Sequence, residues 1–313
     1  MARPALSAAR AISILELLAS HPGQDFTLSE LVRESKINVS SLHAVLDVLS
    51  REGYVVRDSR RKAYRLGAGP IALGQAALDE HPAIKLARQA IEELAERLQL
   101  ELVCGAIAGE HLLIAGEAGR PDRLYMRPRV GTRLPFIPPL GLLGVLYLEP
   151  AQQEAWLDRL GPTATAADRD AFMTAAVGAG QRGYTIELET PTRQQIGMLM
   201  AGLARDPHAP DLNVQLQDLV LQLGREAHTL TDPQPGQTYS VNNIQTPIFD
   251  NRGQLVSSLT LLGFDQPQTT EQIQHHLHTL LHTSDNITRS TGGRPPPPPS
   301  APPPTEGDTR AIA

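Results

Sequence analysis

Between Asn38 and Leu66 the chain reads NVSSLHAVLDVLSREGYVVRDSRRKAYRL. Its residue types and spacing suggest recognition of an anion. Positions 40, 43, 44 and 47 fall on one face of a helix, opposite an apolar stripe at Val39, Leu42, Val45, Leu46 and Leu49. Ser40 and Ser41 occupy the first turn, where hydroxyls and free backbone amides can bind a phosphate. His43 can donate to a base edge. Asp47 repels phosphate but can accept from a cytosine amine. Downstream, Arg60, Arg61 and Lys62 sit at a polar tip flanked by Arg57 and Arg65. Adjacent cations on such a tip suit phosphate or minor-groove contact. Two plainer readings stay open, a solvated helix face and a tip charged for solubility.

The other chemistry-bearing residues do not assemble into a site. GAGQRG, Gly178 to Gly183, spells a dinucleotide-binding pattern. That site needs a strand before the glycines and a helix after them, and here the order is reversed. HHLHTLLH places His275, His278 and His282 near one helical face, but no carboxylate stands at ligand spacing. Cys104 lies on an apolar strand. Glu187 and Glu189 share a strand face without a partner acid, base or metal. Neither G-x-S-x-G nor H-E-x-x-H occurs. The expectation is a protein that is not an enzyme, with no catalytic residue, metal or cofactor.

Several elements must position the Asn38–Leu66 face. Ser7 can cap a helix over about 8–20 whose apolar face holds Ile12, Leu15 and Leu18. Thr27-Leu28-Ser29-Glu30 is a capping box that opens a short second helix. Asn38 caps the third, and Gly53 ends it. Strands at 54–57 and 63–66 form a hairpin around the cationic tip. Three helices and a hairpin within about 67 residues make a winged helix-turn-helix.

Beyond it the reading is α+β. A linker helix covers 68–80 and an amphipathic helix 83–98. Strands fall at 101–108, 112–117, 184–189, 238–245 and 255–264, with TPIFDNRG as the last connecting turn. Helices fall at about 140–148, 151–160, 167–181 and 270–285. The proline-rich end, from 289 to 313, reads as disordered or extended. The domains expected are a DNA-binding head at 1–67 (helix-turn-helix about 27–51, wing 54–66), a linker at 68–80, a body at 81–288 and the tail.

Composition agrees with two domains. At 313 residues the chain exceeds a typical single domain. With 41% hydrophobic but only 4% aromatic residues, the cores must be aliphatic. A single cysteine excludes an internal disulfide framework, and no apolar run approaches the roughly 20 residues of a membrane span. A cytoplasmic location without membrane contact is the expectation. The net charge of −6 argues against indiscriminate coating of nucleic acid. It is uneven, however: residues 1–67 hold ten Lys+Arg against seven Asp+Glu, and the remainder holds 18 against 27. A basic head on an acidic body suggests that only the head meets an anion.

The arrangement resembles the IclR-type family of bacterial transcriptional regulators. The matching segments are ARAISILELLA, FTLSELVRESKINVSSLHAVLDVLSREGYV, AYRLGAGPIALG, RVGTRLPF, QRGYTIELE and TPIFDNRGQLVSSLTL, within residues 7–265. The resemblance implies a winged-helix head, a linker helix and a GAF-like effector-binding body. It also implies a homodimer or homotetramer bound to a double-stranded DNA operator. Residues of about 190–236 look like an insertion relative to the family. The chain departs from the family at Val39 and Ala44, where a cation is common, and in the apolar run FIPPLGLLG. By the resemblance, an effector lies between the sheet and the segment Phe136–Leu140. Candidates are Cys104, Tyr125, Phe136, Ile137, Asn243 and Leu259, for a small organic acid or aromatic metabolite. A helix opening near Pro139 can offer amides to a carboxylate. The apolar run points instead to a more apolar effector or a vestigial pocket. The function expected is sequence-specific transcriptional regulation. The alternative is a ligand-binding or protein-interaction module whose helix-turn-helix has lost DNA specificity.

Overall fold

The computed structural model describes residues 5–21, 23–119, 130–205, 210–226 and 228–297. Its N-terminal unit contains α1 (Leu6–Ala19), β1 (Phe26–Thr27), α2 (Leu28–Ser35), α3 (Val39–Arg51), β2 (Val55–Asp58) and β3 (Ala63–Leu66). The strands form an antiparallel sheet in the order β1-β3-β2. Ser7 is not the cap of the first helix: α1 begins at Leu6, and Ser7 lies inside its first turn. Its buried residues are Ile14 and Leu18, while Ile12 is 53% exposed. With 3.6 residues per turn, an error of one position rotates a helical stripe by about 100°.

The caps of α2 and α3 follow from side-chain chemistry. Thr27 N donates to Glu30 Oε2 at 2.7 Å, and Glu30 N donates to Thr27 Oγ1 at 3.3 Å, which completes the capping box. Asn38 Oδ1 accepts from Ser41 N at 2.9 Å and so satisfies one free amide of α3. Leu42, Leu46 and Leu49 bury the inner face of α3 against Ile14, Leu31 and Phe26. Val39, expected in that stripe, is 55% exposed. Gly53, at φ +74°, ends α3. Gly67 lets the wing return close to it, since a Cβ there would lie 2.2 Å from the Gly53 carbonyl oxygen.

A linker helix α4 (Gly69–Glu80) buries none of its residues. The body then runs α5 (Pro82–Leu98), β4 (Glu101–Ala108), β5 (His111–Ala118), β6 (Arg133–Pro135), α6 (Leu142–Val145), α7 (Pro150–Asp158), α8 (Ala166–Arg182) and β7 (Thr185–Leu188). It continues through α9 (Pro191–Arg205), α10 (Pro210–Gly224), β8 (Thr238–Tyr239), β9 (Val241–Phe249), β10 (Leu255–Leu262), β11 (Gln268–Thr269) and α11 (Thr270–Ser290). Six strands form one antiparallel sheet in the order β6-β5-β4-β10-β9-β7. β8 and β11 pair separately.

Strand alternation divides this sheet into two faces. Leu102, Cys104, Ile244, Leu259 and Leu261 pack with Ala87 and Ile91 of α5 and Ile273 and Leu280 of α11. A second core gathers Trp156, Phe172, Ile196, Met200, Leu216 and Val220 from α7 to α10. Among the described residues, no helix is long and apolar enough to cross a membrane.

Three expectations need correction. TPIFDNRG is not all turn: Thr246–Phe249 belong to β9, and only Asp250–Gln254 reverse the chain, with Asp250 Oδ1 accepting from Arg252 N and Gln254 N. Pro247 is tolerated within β9 because β7 pairs with β9 only as far as Gln245. The helix expected over 140–148 shrinks to the single turn of α6. The disordered tail does not begin at 289. α11 runs to Ser290, Gly293 N donates to Thr288 O at 2.7 Å, and Arg294 N donates to Asp250 O at 3.0 Å. Residues 298–313 lie outside the described residues.

Candidate nucleic-acid interface and ligand cavity

In the head, Ser40, His43, Ala44 and Asp47 are exposed on α3, and Ser41 is half-buried. Several carry internal partners. Ser40 Oγ donates to Asn38 Oδ1 at 2.9 Å, and Asp47 Oδ2 accepts from Arg51 Nη2 at 3.0 Å. Ser41 Oγ accepts from Arg10 Nη1 at 3.1 Å, which leaves the serine proton available to donate outward. Arg10 of α1 thereby joins the first turn of α3. The sequence signal for it was a cation inside an amphipathic helix.

The wing tip is shaped by Asp58. Its Oδ1 accepts from Arg60 N at 2.8 Å and Arg61 N at 3.1 Å. The two amides, Arg61's foremost, hold the Asp58 carboxyl below the usual carboxylate range. Lys62 follows at φ +51° and closes the turn. The Arg61 guanidinium reaches Asp25 at 3.5 Å, and Arg57 lies over the Tyr64 ring at 5.7 Å. Arg57, Arg60, Arg61, Lys62 and Arg65 are all exposed. Asp25 pairs with Arg61, and the Asp58 carboxylate lies near enough to interact with Arg61 and Arg65.

The body holds a partly open cavity of about 260 Å³ between the second face of the sheet, α6 and α9. Ile107, Leu134, Leu140, Leu143, Ile196 and Met200 give it an apolar end. Its polar end is a buried network. The Arg193 side chain is 10% exposed and pairs through Nη2 with Oε2 of Glu187, which is 8% exposed. Arg193 Nε donates to Asn242 Oδ1 at 3.3 Å, and Asn243 Nδ2 donates to Glu187 Oε2 at 2.9 Å. Burial pushes the Arg193 guanidinium down to about 10, so it keeps its charge at neutral pH. Its Nη1 is buried without a hydrogen-bond partner among the described residues. On the sheet floor, Gln245 Nε2 donates to Ser258 Oγ at 3.1 Å and Thr260 Oγ1 at 3.2 Å.

Of the five expected effector residues that are described, only Asn243 lines this cavity. Cys104 and Leu259 are register partners on the opposite face, packed against α5 and α11. One step along a strand moves a side chain to the other face, so Val103, Gly105, Ser258 and Thr260 are the cavity neighbours. Phe136 and Ile137 belong to the second core, with Phe136 lying 6.2 Å from Trp156 between ring centroids. Pro139 and Leu140 are the members of that segment which reach the cavity. Tyr125 lies outside the described residues. Near Pro139 three amides are already used: Leu142 N donates to Pro139 O, and Gly144 N and Val145 N donate to Gly141 O.

Burial pushes the Cys104 thiol up to about 12. The folded protein is therefore expected to leave Cys104 unmodified by a disulfide-exchange reagent at pH 8, and to react fully once unfolded in urea. Rapid native labelling would show that this strand is open.

The remaining motifs serve structure. Gly183 ends α8 at φ +75° and β7 follows, so the glycine pattern closes a helix. His278 and His282 stack on α11 with ring centroids 6.5 Å apart. Among the described residues, no group of three His, Cys, Asp or Glu is placed to hold a metal ion.

A helix-turn-helix with a cationic wing, joined by a linker helix to an α+β body, defines a winged-helix DNA-binding regulator. Residues 7–59 match the model of the IclR helix-turn-helix domain. The glycerol operon regulatory protein of Streptomyces coelicolor is 29% identical over 192 residues, covering 60% of this chain and 75% of that protein. Two solved structures share the fold. An IclR transcriptional regulator from Alicyclobacillus acidocaldarius aligns with TM-score 0.63 at 17% identity, over 93% of this chain and 100% of its own. An IclR homologue from Microbacterium hydrocarbonoxydans, solved with 4-hydroxybenzoate, aligns with TM-score 0.57 at 18% identity, over 91% and 99%. Residues 7–59 thus carry an IclR-type helix-turn-helix domain, and the chain as a whole is similar to IclR-type transcriptional regulators.

Proposed function

We propose that this regulator binds a palindromic operator as a two-fold dimer, reads it through α3, and responds to a small organic molecule held in the body cavity. The observation that carries the DNA reading is the exposed α3 face in one compact unit with an exposed cationic wing. Ser40 and Ser41, with Arg10 beside them, are assigned to phosphate near the first turn. His43 is assigned to a base edge, and Asp47 to a cytosine amine once released from Arg51. Val39 and Ala44 replace the family's cations with methyl groups, which suit contact with thymine. Arg57, Arg60, Arg61, Lys62 and Arg65 supply backbone contacts. The head is taken as 1–67 and the linker as 68–80. The body, from 81, is read as GAF-like, with the α9–α10 segment inserted into it. The setting proposed is the cytoplasm.

The cavity supports the sensing role. It is concave, largely apolar, and has one cluster of polar groups, the usual character of a small-molecule site. A relative of the same fold was solved with 4-hydroxybenzoate. An effector would act by favouring one arrangement of the two heads over another, which is a coupling free energy between sites.

Gel shift with fragments from the regulator's own neighbourhood, at several salt concentrations, tests the DNA reading. At least one fragment should survive excess bulk competitor; if none does, the sequence-specific reading is lost. His43→Ala is expected to cost about 1–3 kcal/mol on the preferred fragment and almost nothing on bulk DNA. Equal losses on both would remove His43 from base reading.

A further inference from the structure

The geometry points to an uncharged ligand: a molecule with a carbonyl or hydroxyl oxygen at one end and a compact apolar body, not a carboxylate. This inference rests on the reading of the cavity as the effector site and adds the chemical class that the site accepts.

The argument begins with charge. Arg193 and Glu187 are the charged side chains that line the cavity, and they pair with each other. The ligand-free site is therefore neutral. A carboxylate entering it would place two anions against one cation beside a pair whose side chains are only 10% and 8% exposed. An uncompensated buried charge is strongly unfavourable. A neutral oxygen meets no such penalty.

Hydrogen-bonding capacity points the same way. Arg193 Nη1 is buried and unpartnered, so it has a proton to donate. Ser258 and Thr260 each accept from Gln245 Nε2, which frees their own protons for the cavity. Two hydroxyl donors thus face a space that Arg193 also lines and whose one carboxylate already accepts from Arg193 and Asn243. What they lack is an acceptor, and a carbonyl or hydroxyl oxygen supplies one. Opposite them, Ile107, Leu134, Leu140, Ile196 and Met200 offer only hydrocarbon surface to the rest of the ligand.

The test uses matched pairs that differ in charge but hardly in shape. These are acetophenone against benzoate, cyclohexyl methyl ketone against cyclohexanecarboxylate, and methyl isobutyl ketone against isovalerate. Binding to the full-length protein is read by thermal shift and calorimetry at pH 7.5. At least one ketone should bind, about tenfold or more tighter than its carboxylate. In Glu187→Gln the Arg193 charge is left unpaired, so the preference should invert toward the carboxylate by about tenfold. The wild-type comparison needs no variant and stands alone if Glu187→Gln folds poorly. A wild-type protein that binds a carboxylate as well as its ketone overturns the neutral-ligand inference while the effector site survives. If no member of any pair binds either protein at millimolar concentration, the cavity is not a small-molecule site and both readings fall.

Discussion

Replacing Arg60, Arg61 and Lys62 together by glutamine is expected to weaken binding to every DNA sequence and to flatten its salt dependence. Each phosphate neutralised on duplex DNA contributes about 0.9 to the slope of log affinity against log salt, so the triple change should lower that slope by up to about 2.7. The shortfall from that ceiling has a structural source. Arg61 already reaches Asp25 at 3.5 Å, so part of its gain on DNA offsets the loss of that contact. Folding should hardly change. The three side chains are exposed, and exposed ion pairs contribute about 0–1 kcal/mol. The turn itself is retained because Asp58 holds the backbone amides of Arg60 and Arg61, not their side chains. The measurement is a salt titration of operator and bulk DNA, with the thermal midpoint as the folding control. An unchanged slope would place the wing away from the phosphates.

The second large effect is on stability. Arg193→Met leaves the Glu187 carboxylate buried, with Asn243 Nδ2 as its retained donor. Breaking a buried pair from one side typically costs about 3–5 kcal/mol, because the surviving charge has lost its compensation. For a body of this size that corresponds to a fall in midpoint of about 6–20 °C. Adding Glu187→Gln should restore much of the loss, since removing both charges removes the reason for the penalty. Urea titrations of the wild type, the two single variants and the double variant close the cycle. Additive losses would mean that the two side chains act independently and that the cavity is not held by this pair.

The head was legible because its signals are local. Thr27–Glu30, Asn38 and Gly53 announce helix ends through their own side chains or lack of one, and Leu42, Leu46 and Leu49 fix the inner face of α3. Errors there were errors of phase, as with Ile12 and Val39, where an apolar residue near a helix start belongs to either face. The cavity was harder for a physical reason. β4 is apolar on both sides, so Leu102, Val103 and Cys104 read alike although alternate ones face different layers. The parity was nevertheless present in the neighbouring strands. Asn243 and Gln245 alternate with Ile244, and Ser258 and Thr260 alternate with Leu259 and Leu261. Polar residues two apart in central strands mark the side where a space must be filled. Arg193 left no such trace. Glu187 was visible as a carboxylate without a partner, but its partner arrives from α9 after the chain has left the sheet.

The Arg193–Glu187 pair also bears on how such a sensor can change its signal over generations. A glutamate codon becomes a glutamine codon by one base, and that change converts a neutral cavity into a cationic one. The apolar wall, the hydroxyl floor and the guanidinium all stay in place. Two variants one mutation apart would then answer to different classes of metabolite while keeping the same wing and the same operator. In this architecture the input of a genetic circuit can be exchanged without rewriting its output.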